Sequence, residues 1–242
     1  MKILQFFKSL LLFIPVTLIF APLTKLFLFM SYLNRLILWI MKNKKKLLYS
    51  DFYTPFRNYG KRTELHKFLI GNYQLENKQL VYLEFGVASG SSFRWWLNAN
   101  QNEKSAFFGF DTFEGLPEDW GMFYSKGDMS SGLPELTDKR GKFVKGLFQD
   151  TLTGFINENR DLLNEAKGRK VIHMDADLYS ATAFVLSQLY PFLSKGDLIL
   201  FDEFNVPMHE FKAFHEFTSN FYIKLTPVGA VNNFYQTAFI VE

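Results

Sequence analysis

The feature that most constrains this chain is a series of short apolar runs, most closed by an acid or a glycine turn and separated by helix-length stretches. Residues 79–85 form the first run and stop at Gly86. Others follow at 106–110, 143–148, 171–174 and 198–201. Short apolar runs between turn signals read as buried strands. Residues 92–100, 152–165 and 181–193 have the length and patterning of helices. Strands alternating with helices predict an α/β fold with a parallel sheet covered on both faces. The end of the chain differs. Residues 221–227 and 233–241 are strand-like and joined by Val228-Gly-Ala-Val-Asn232, which predicts a terminal hairpin.

In an open α/β sheet, ligands bind outside the carboxyl ends of the strands. The first strand runs out through Glu84-Phe-Gly86-Val-Ala-Ser89-Gly90, a turn that permits close backbone approach and opens into a helix. It has neither the Gly-x-Gly-x-x-Gly pattern of a nicotinamide site nor a phosphate loop's Gly-Lys-Ser/Thr. Asp111 closes the next strand, placed to accept hydrogen bonds from ribose hydroxyls or to cap its own turn. Asp175 and Asp177 are two apart and share a side in extended backbone. Asp202 and Glu203 end the neighbouring strand. Three carboxylates about 5 Å apart repel by roughly 3 kcal/mol per pair at an effective dielectric near 20, so protonation or a cation must offset them. All-oxygen ligands with no histidine nearby favour Mg²⁺, with Mn²⁺ or Ca²⁺ also admissible. The alternative is a set of separate turn caps. His66, His173, His209 and His215 read as structural.

The 242 residues suffice for one full-size domain and an appendage. With no cysteine, thiolate metal sites, iron–sulfur clusters and cysteine nucleophiles are excluded. The net charge of +3 conceals an asymmetry: residues 1–50 carry eight Lys/Arg and no acid, leaving 19 bases against 24 acids elsewhere. The body lacks the basic excess of a nucleic-acid binder. Residues 9–41 are almost continuously apolar, interrupted by Lys25, Asn34, Arg35, Pro15 and Pro22, and Lys42-Asn43-Lys44-Lys45-Lys46 follows. Each half, 9–24 and 26–41, would be about 24 Å long as a helix, short of the roughly 30 Å hydrocarbon core. A tilted span, a re-entrant hairpin and interfacial helices all remain open. The basic flank suits anionic headgroups on the cytoplasmic side of a membrane. The chain therefore divides into a membrane-associating segment, 1–48, and a body, 49–242. The alternative is a greasy helical arm buried in a homo-oligomer.

Five ordered stretches then match a family. They are Leu83-Glu-Phe-Gly-Val-Ala-Ser-Gly-Ser-Ser92, Gly109-Phe-Asp-Thr-Phe-Glu-Gly-Leu-Pro-Glu-Asp-Trp120, Val144-Lys-Gly-Leu-Phe-Gln-Asp-Thr-Leu152, His173-Met-Asp-Ala-Asp-Leu-Tyr-Ser-Ala-Thr182 and Leu198-Ile-Leu-Phe-Asp-Glu-Phe204. From about Tyr49 onward the chain resembles the macrocin O-methyltransferase family, S-adenosylmethionine-dependent enzymes that methylate antibiotic sugars. The resemblance implies a class I methyltransferase (Rossmann-like) fold, seven-stranded with its last strand antiparallel, and Mg²⁺ dependence. It implies Asp175, Asp202 and Glu203 as metal ligands and Asp177 as general base. Glu84, Gly86, Ser89 and Asp111, with Phe148 and Gln149 at the third strand end, would line the cofactor site. The acceptor would be a hydroxyl of a sugar or other vicinal diol. The family commonly has paired aspartates where this chain has Asp202-Glu203, and the apolar N-terminus is outside its pattern. The segment 116–136, with Trp120, Phe123 and Tyr124, could form a lid. A catalytically silent, methyltransferase-like scaffold at the membrane is the competing reading.

Overall fold

The computed structural model describes residues 1–14, 16–120, 124–164 and 168–242; Pro15, Phe123 and Glu165 lie outside them. The chain runs through α1 (Lys2–Phe13), a 3-10 segment (Val16–Leu23), α2 (Thr24–Asn43), β1 (Tyr49–Ser50), α3 (Gly60–Tyr73), β2 (Leu80–Phe85) and α4 (Ser91–Ala99). It continues with β3 (Ala106–Asp111), β4 (Gly141–Lys145), α5 (Phe148–Glu158), α6 (Arg160–Asn164), β5 (Arg169–Met174) and α7 (Tyr179–Leu189). It closes with β6 (Leu198–Phe201), α8 (Glu210–Asn220), β7 (Leu225–Val231) and β8 (Gln236–Val241).

One sheet of eight strands carries the fold, in the order β1-β7-β8-β6-β5-β2-β3-β4. The pairs of β2 with β3 and β5, of β3 with β4 and of β5 with β6 are parallel, and β8 is antiparallel to both β6 and β7. This is the class I methyltransferase arrangement, with β1 added beside β7. That two-residue strand is too short to leave a periodic signal.

Alternation along β2 shows why the central strands are apolar throughout. Val81, Leu83 and Phe85 join the core beneath α5, α7 and α8, whereas Leu80 and Tyr82 join the opposite core with Leu65 and Leu69 of α3 and Phe93 and Trp96 of α4. Both faces are covered, so neither parity can be polar. The terminal hairpin forms as expected but turns later. The residues read as its link lie within β7, apart from Asn232, and the reversal falls at Asn232, Asn233 and Phe234, with φ of 54°, 59° and 66°. Asparagine is among the few residues that enter this left-handed region readily. The third apolar run stops earlier than expected: β4 ends at Lys145, and Phe148 and Gln149 open α5 instead of ending a strand.

The N-terminal helices divide by depth. Helix α1 has no buried residue. The second half of α2 packs on the body: Leu36 is buried, and Trp39 sits 4.9–5.9 Å from the rings of Phe204, Phe214, Phe234 and Phe239. Tyr32 donates to Glu216 Oε1 at 2.6 Å, and Arg35 Nη1 to His215 Nε2 at 2.6 Å. Leu26, Phe27, Met30, Leu38 and Met41 face outward, exposed. The stretch Phe20–Lys46 is long and apolar enough to cross a membrane by length and composition.

Candidate active site

The carboxyl ends of β2, β3, β5 and β6 surround a cavity of about 280 Å³ that contains Gly86, Asp111, Asp175, Asp177, Asp202 and Glu203 in its walls. Gly86 makes the convergence possible. Its φ is 93°, and a Cβ there would stand 1.8 Å from the Asp175 carbonyl oxygen. Only glycine lets the exit of β2 pass the exit of β5 this closely. Asp111 then fastens the turn: its Oδ2 accepts from the Val87 and Ala88 N–H groups, each at 2.8 Å, and its Oδ1 from Phe113 N–H at 2.7 Å. A carboxylate offers about four lone-pair sites, so most of its capacity holds the loop itself.

The acid edge is joined by two bases that sequence reasoning did not place there. Arg62, from the first turn of α3, donates to Asp202 Oδ2 at 3.1 Å and to Asp175 Oδ2 at 3.4 Å. His173 lies two residues before Asp175 on β5, with its Nε2 3.8 Å from Asp202 Oδ1 and its Nδ1 3.7 Å from Glu84 Oε2. The expectation of no nearby histidine is therefore corrected. His173 stands two residues before Asp175, and that spacing was an available signal; Asp177 lies past the end of β5 with a φ of 56°, so strand parity does not place it. His173, Asp175 and Asp202 each offer a ligand atom within 4.8 Å of the others.

These neighbours set the protonation pattern. Burial alone would depress His173, but the carboxylates of Asp202 and Glu84 beside it lift it to about 10. Against burial, His173 and Arg62 hold Asp202 at about 2. Burial and then the Asp202 charge push Asp175 well above the usual carboxylate range. Burial and Asp202 raise Asp177 to about 7, while burial and Asp177 raise Glu203 to about 8. Asp177 and Glu203 act as a pair that holds a proton near neutrality. Tyr235 donates its hydroxyl to Glu203 Oε1, and the Glu203 backbone N–H donates to Glu210 Oε2 at 2.8 Å.

Phe148 and Gln149 reach the cavity from the start of α5, alongside Leu116 and Pro117 of the long β3–β4 connection. Within that connection Trp120 stacks on Tyr124 at 4.9 Å, and Glu118 accepts from Ser180 at 2.7 Å, tying it across to α7. Two expected residues stand back from the cavity. Glu84 is fully buried and accepts from Ser92 Oγ at 2.6 Å and from Tyr82; the Ser89 hydroxyl meets Ser91 at 3.1 Å.

The donor set suits a hard divalent ion. Asp202 Oδ1 and Glu203 Oε2 are buried and, among the described residues, have no hydrogen-bond partner. Such atoms are open to a proton or a cation; Glu203 lies outside the group of His173, Asp175 and Asp202 whose ligand atoms come within 4.8 Å of one another.

Comparison with known proteins agrees with the fold. No curated protein sequence matches the chain. Among solved structures, it is similar to the calicheamicin methyltransferase CalS11, with a TM-score of 0.57 and 18% identity over 87% of this chain and 91% of that one. An apo structure of CalS11, described as a TDP-rhamnose 3'-O-methyltransferase of calicheamicin biosynthesis, gives 0.52 and 19% over 87% and 93%. At these identities the likeness shows the fold. A family model described as a methyltransferase domain matches residues 83–204, half of the chain and the whole of the acid edge. The chain belongs to this methyltransferase domain family and is an enzyme of that class.

Proposed function

We propose that the chain is an S-adenosylmethionine- and Mg²⁺-dependent O-methyltransferase that acts on a hydroxyl of a sugar or other vicinal diol at the cytoplasmic face of a membrane. One observation carries the reading: Asp175, Asp177, Asp202 and Glu203 share one cavity with the Gly86 turn and Asp111. The activity of CalS11 on a nucleotide-linked sugar, TDP-rhamnose, supports the substrate class. The apolar, basic segment 1–48 supports the location.

When bound, S-adenosylmethionine would supply the electrophilic methyl group, and Asp175, Asp202 and Glu203 would hold a Mg²⁺ ion whose charge would acidify the acceptor hydroxyl. Asp177 takes the hydroxyl proton on its carboxylate as general base. Arg62 and His173 keep Asp202 ionised. Leu116 and Pro117 add apolar lining to the cavity.

The test is calorimetry with S-adenosylhomocysteine, with and without Mg²⁺, beside methyl transfer to a panel of sugar nucleotides. Asp177→Asn should lower turnover by about 10²–10⁴-fold and leave S-adenosylhomocysteine affinity within a few-fold. Wild-type turnover in Asp177→Asn would remove the base assignment, and turnover that ignores chelator would remove the metal.

A further inference from the structure

Four aromatic side chains stand in solvent on one short segment at the mouth of the active-site cavity. They are Phe52 (42% exposed), Tyr53 (74%), Phe56 (83%) and Tyr59 (59%). Tyr59 lines the cavity that holds the acid edge and also a shallow second concavity formed by residues 54–59 with Lys61. The segment's backbone is well anchored. Thr54 N–H donates to Asn233 Oδ1 and Asn58 N–H to Asn232 Oδ1, each at 2.8 Å, and Asn232 Nδ2 returns a bond to the Asn58 carbonyl at 3.0 Å. The β7–β8 turn thus fixes the segment while its rings stay open to water. Large exposed apolar groups gathered in one place mark an interaction surface.

Bases outnumber acids around these rings, where Asp51 is paired with Lys61 at 2.6 Å. Lys44 Nζ lies 5.5 Å from the centre of the Phe52 ring, and the Arg57 guanidinium 3.3 Å from that of Tyr235. Among the described residues, neither of them, nor Lys42, Lys45 or Lys46, makes an ion pair. The patch is also continuous with α2. Phe52 packs on Phe234 at 5.8 Å, and Phe234 on Trp39 at 5.9 Å, while the outer face of α2 exposes Leu38 and Met41. Aromatic rings among unpaired bases, adjoining an apolar helix, match the headgroup layer of an anionic bilayer. There the rings sit at the polar–apolar boundary and each base gains from nearby phosphates.

We propose that residues 52–59 dock together with α2 on an anionic bilayer, so that the active-site cavity opens at the headgroup layer. The proposal rests on the membrane reading of residues 1–48 and extends it from the N-terminal segment to the catalytic mouth.

The chain has no cysteine, so single nitroxide labels can be placed without a background. Three full-length variants suffice: Phe56→Cys in the segment, Leu38→Cys on the outer face of α2, and Lys142→Cys on β4 at the far sheet edge. All three side chains are exposed or partly so, and an unchanged unfolding midpoint confirms each fold. Paramagnetic-relaxation accessibility to oxygen and to a nickel chelate is then measured with vesicles of phosphatidylcholine alone and with phosphatidylglycerol added. With phosphatidylglycerol, the oxygen-to-nickel ratio at position 56 should rise about threefold or more, as at position 38, and position 142 should not change. Immersion at 38 with an aqueous label at 56 overturns the proposal and leaves the anchor standing. Aqueous labels at both positions overturn the anchor as well. Equal immersion on phosphatidylcholine alone refutes the anionic preference, and burial of position 56 without vesicles as protein concentration rises assigns the patch to a second copy of the chain.

Discussion

In the presence of a chelator, the stability of this protein should fall as pH rises from about 5 to 8, opposite to the trend expected of carboxylates held in salt bridges. The causes are buried acids whose carboxyls are raised, Asp175 and Glu210 among them and the pair Asp177 and Glu203 foremost in this window. Unfolded, the pair's carboxyls titrate near 3.8 and 4.5; folded, they titrate at about 7 and about 8. Between those values the folded chain keeps a proton that the unfolded chain has released, so each step up in pH favours unfolding. For Asp177 alone the rise is worth about 4 kcal/mol undiminished. Its edge reaches the open cavity, and screening there reduces this to about 2–3 kcal/mol. Glu203 competes for the same proton and is not added in full. His173 acts in the same direction: its contribution is complete below about 6.5 and is lost as pH climbs toward its folded value of about 10. Asp202, held at about 2, has already delivered its contribution above pH 4 and stays constant through the window.

Urea unfolding of the full chain in a mild detergent, followed by tryptophan fluorescence, measures this directly. The midpoint should drop by about 1 M between pH 5 and 8 in chelator, for a slope of about 2–3 kcal/mol per molar. Millimolar Mg²⁺ should flatten the trend, because a bound cation favours the ionised carboxylates that deprotonation creates. A midpoint in chelator that is constant or rises with pH would refute the reasoning: the acids would then be too well solvated, or too far apart, to share a proton.

Two substitutions test how the outlying elements support the site. Trp39→Ala removes a ring packed among four phenylalanines and should cost about 3 kcal/mol in the same titration; a loss below about 1 kcal/mol would mean that α2 rests on the body without stabilising it. Arg62→Met strips the guanidinium from Asp175 and Asp202 and should destabilise the metal-free protein by about 3 kcal/mol. The same variant should bind Mn²⁺ more tightly by electron paramagnetic resonance, and weaker binding would show that Arg62 assists the ion instead of competing with it.

Local signals in the sequence determined much of this protein. Period-two burial makes every residue of β2 apolar or internally bonded, and that pattern, repeated along the chain, specifies a covered parallel sheet. Acids at the strand ends specify the edge where Asp111, Asp175, Asp177, Asp202 and Glu203 meet, and Gly86 marks a backbone position there that a side chain would block. These are properties of a few neighbouring residues, set by sterics and burial, so they are readable in one dimension. What the tertiary structure alone decided are the contacts between residues remote in sequence. Arg62 reaches Asp202 across 140 positions, from a helix, α3, whose only buried residues are Leu65, His66 and Leu69 and whose pattern is correspondingly faint. Tyr32 reaches Glu216 across 184 positions, which turns half of an apolar arm into part of the domain's core. Such pairs have no periodicity, because the geometry that joins them exists only once the sheet has closed and α8 offers a face for α2 to cover.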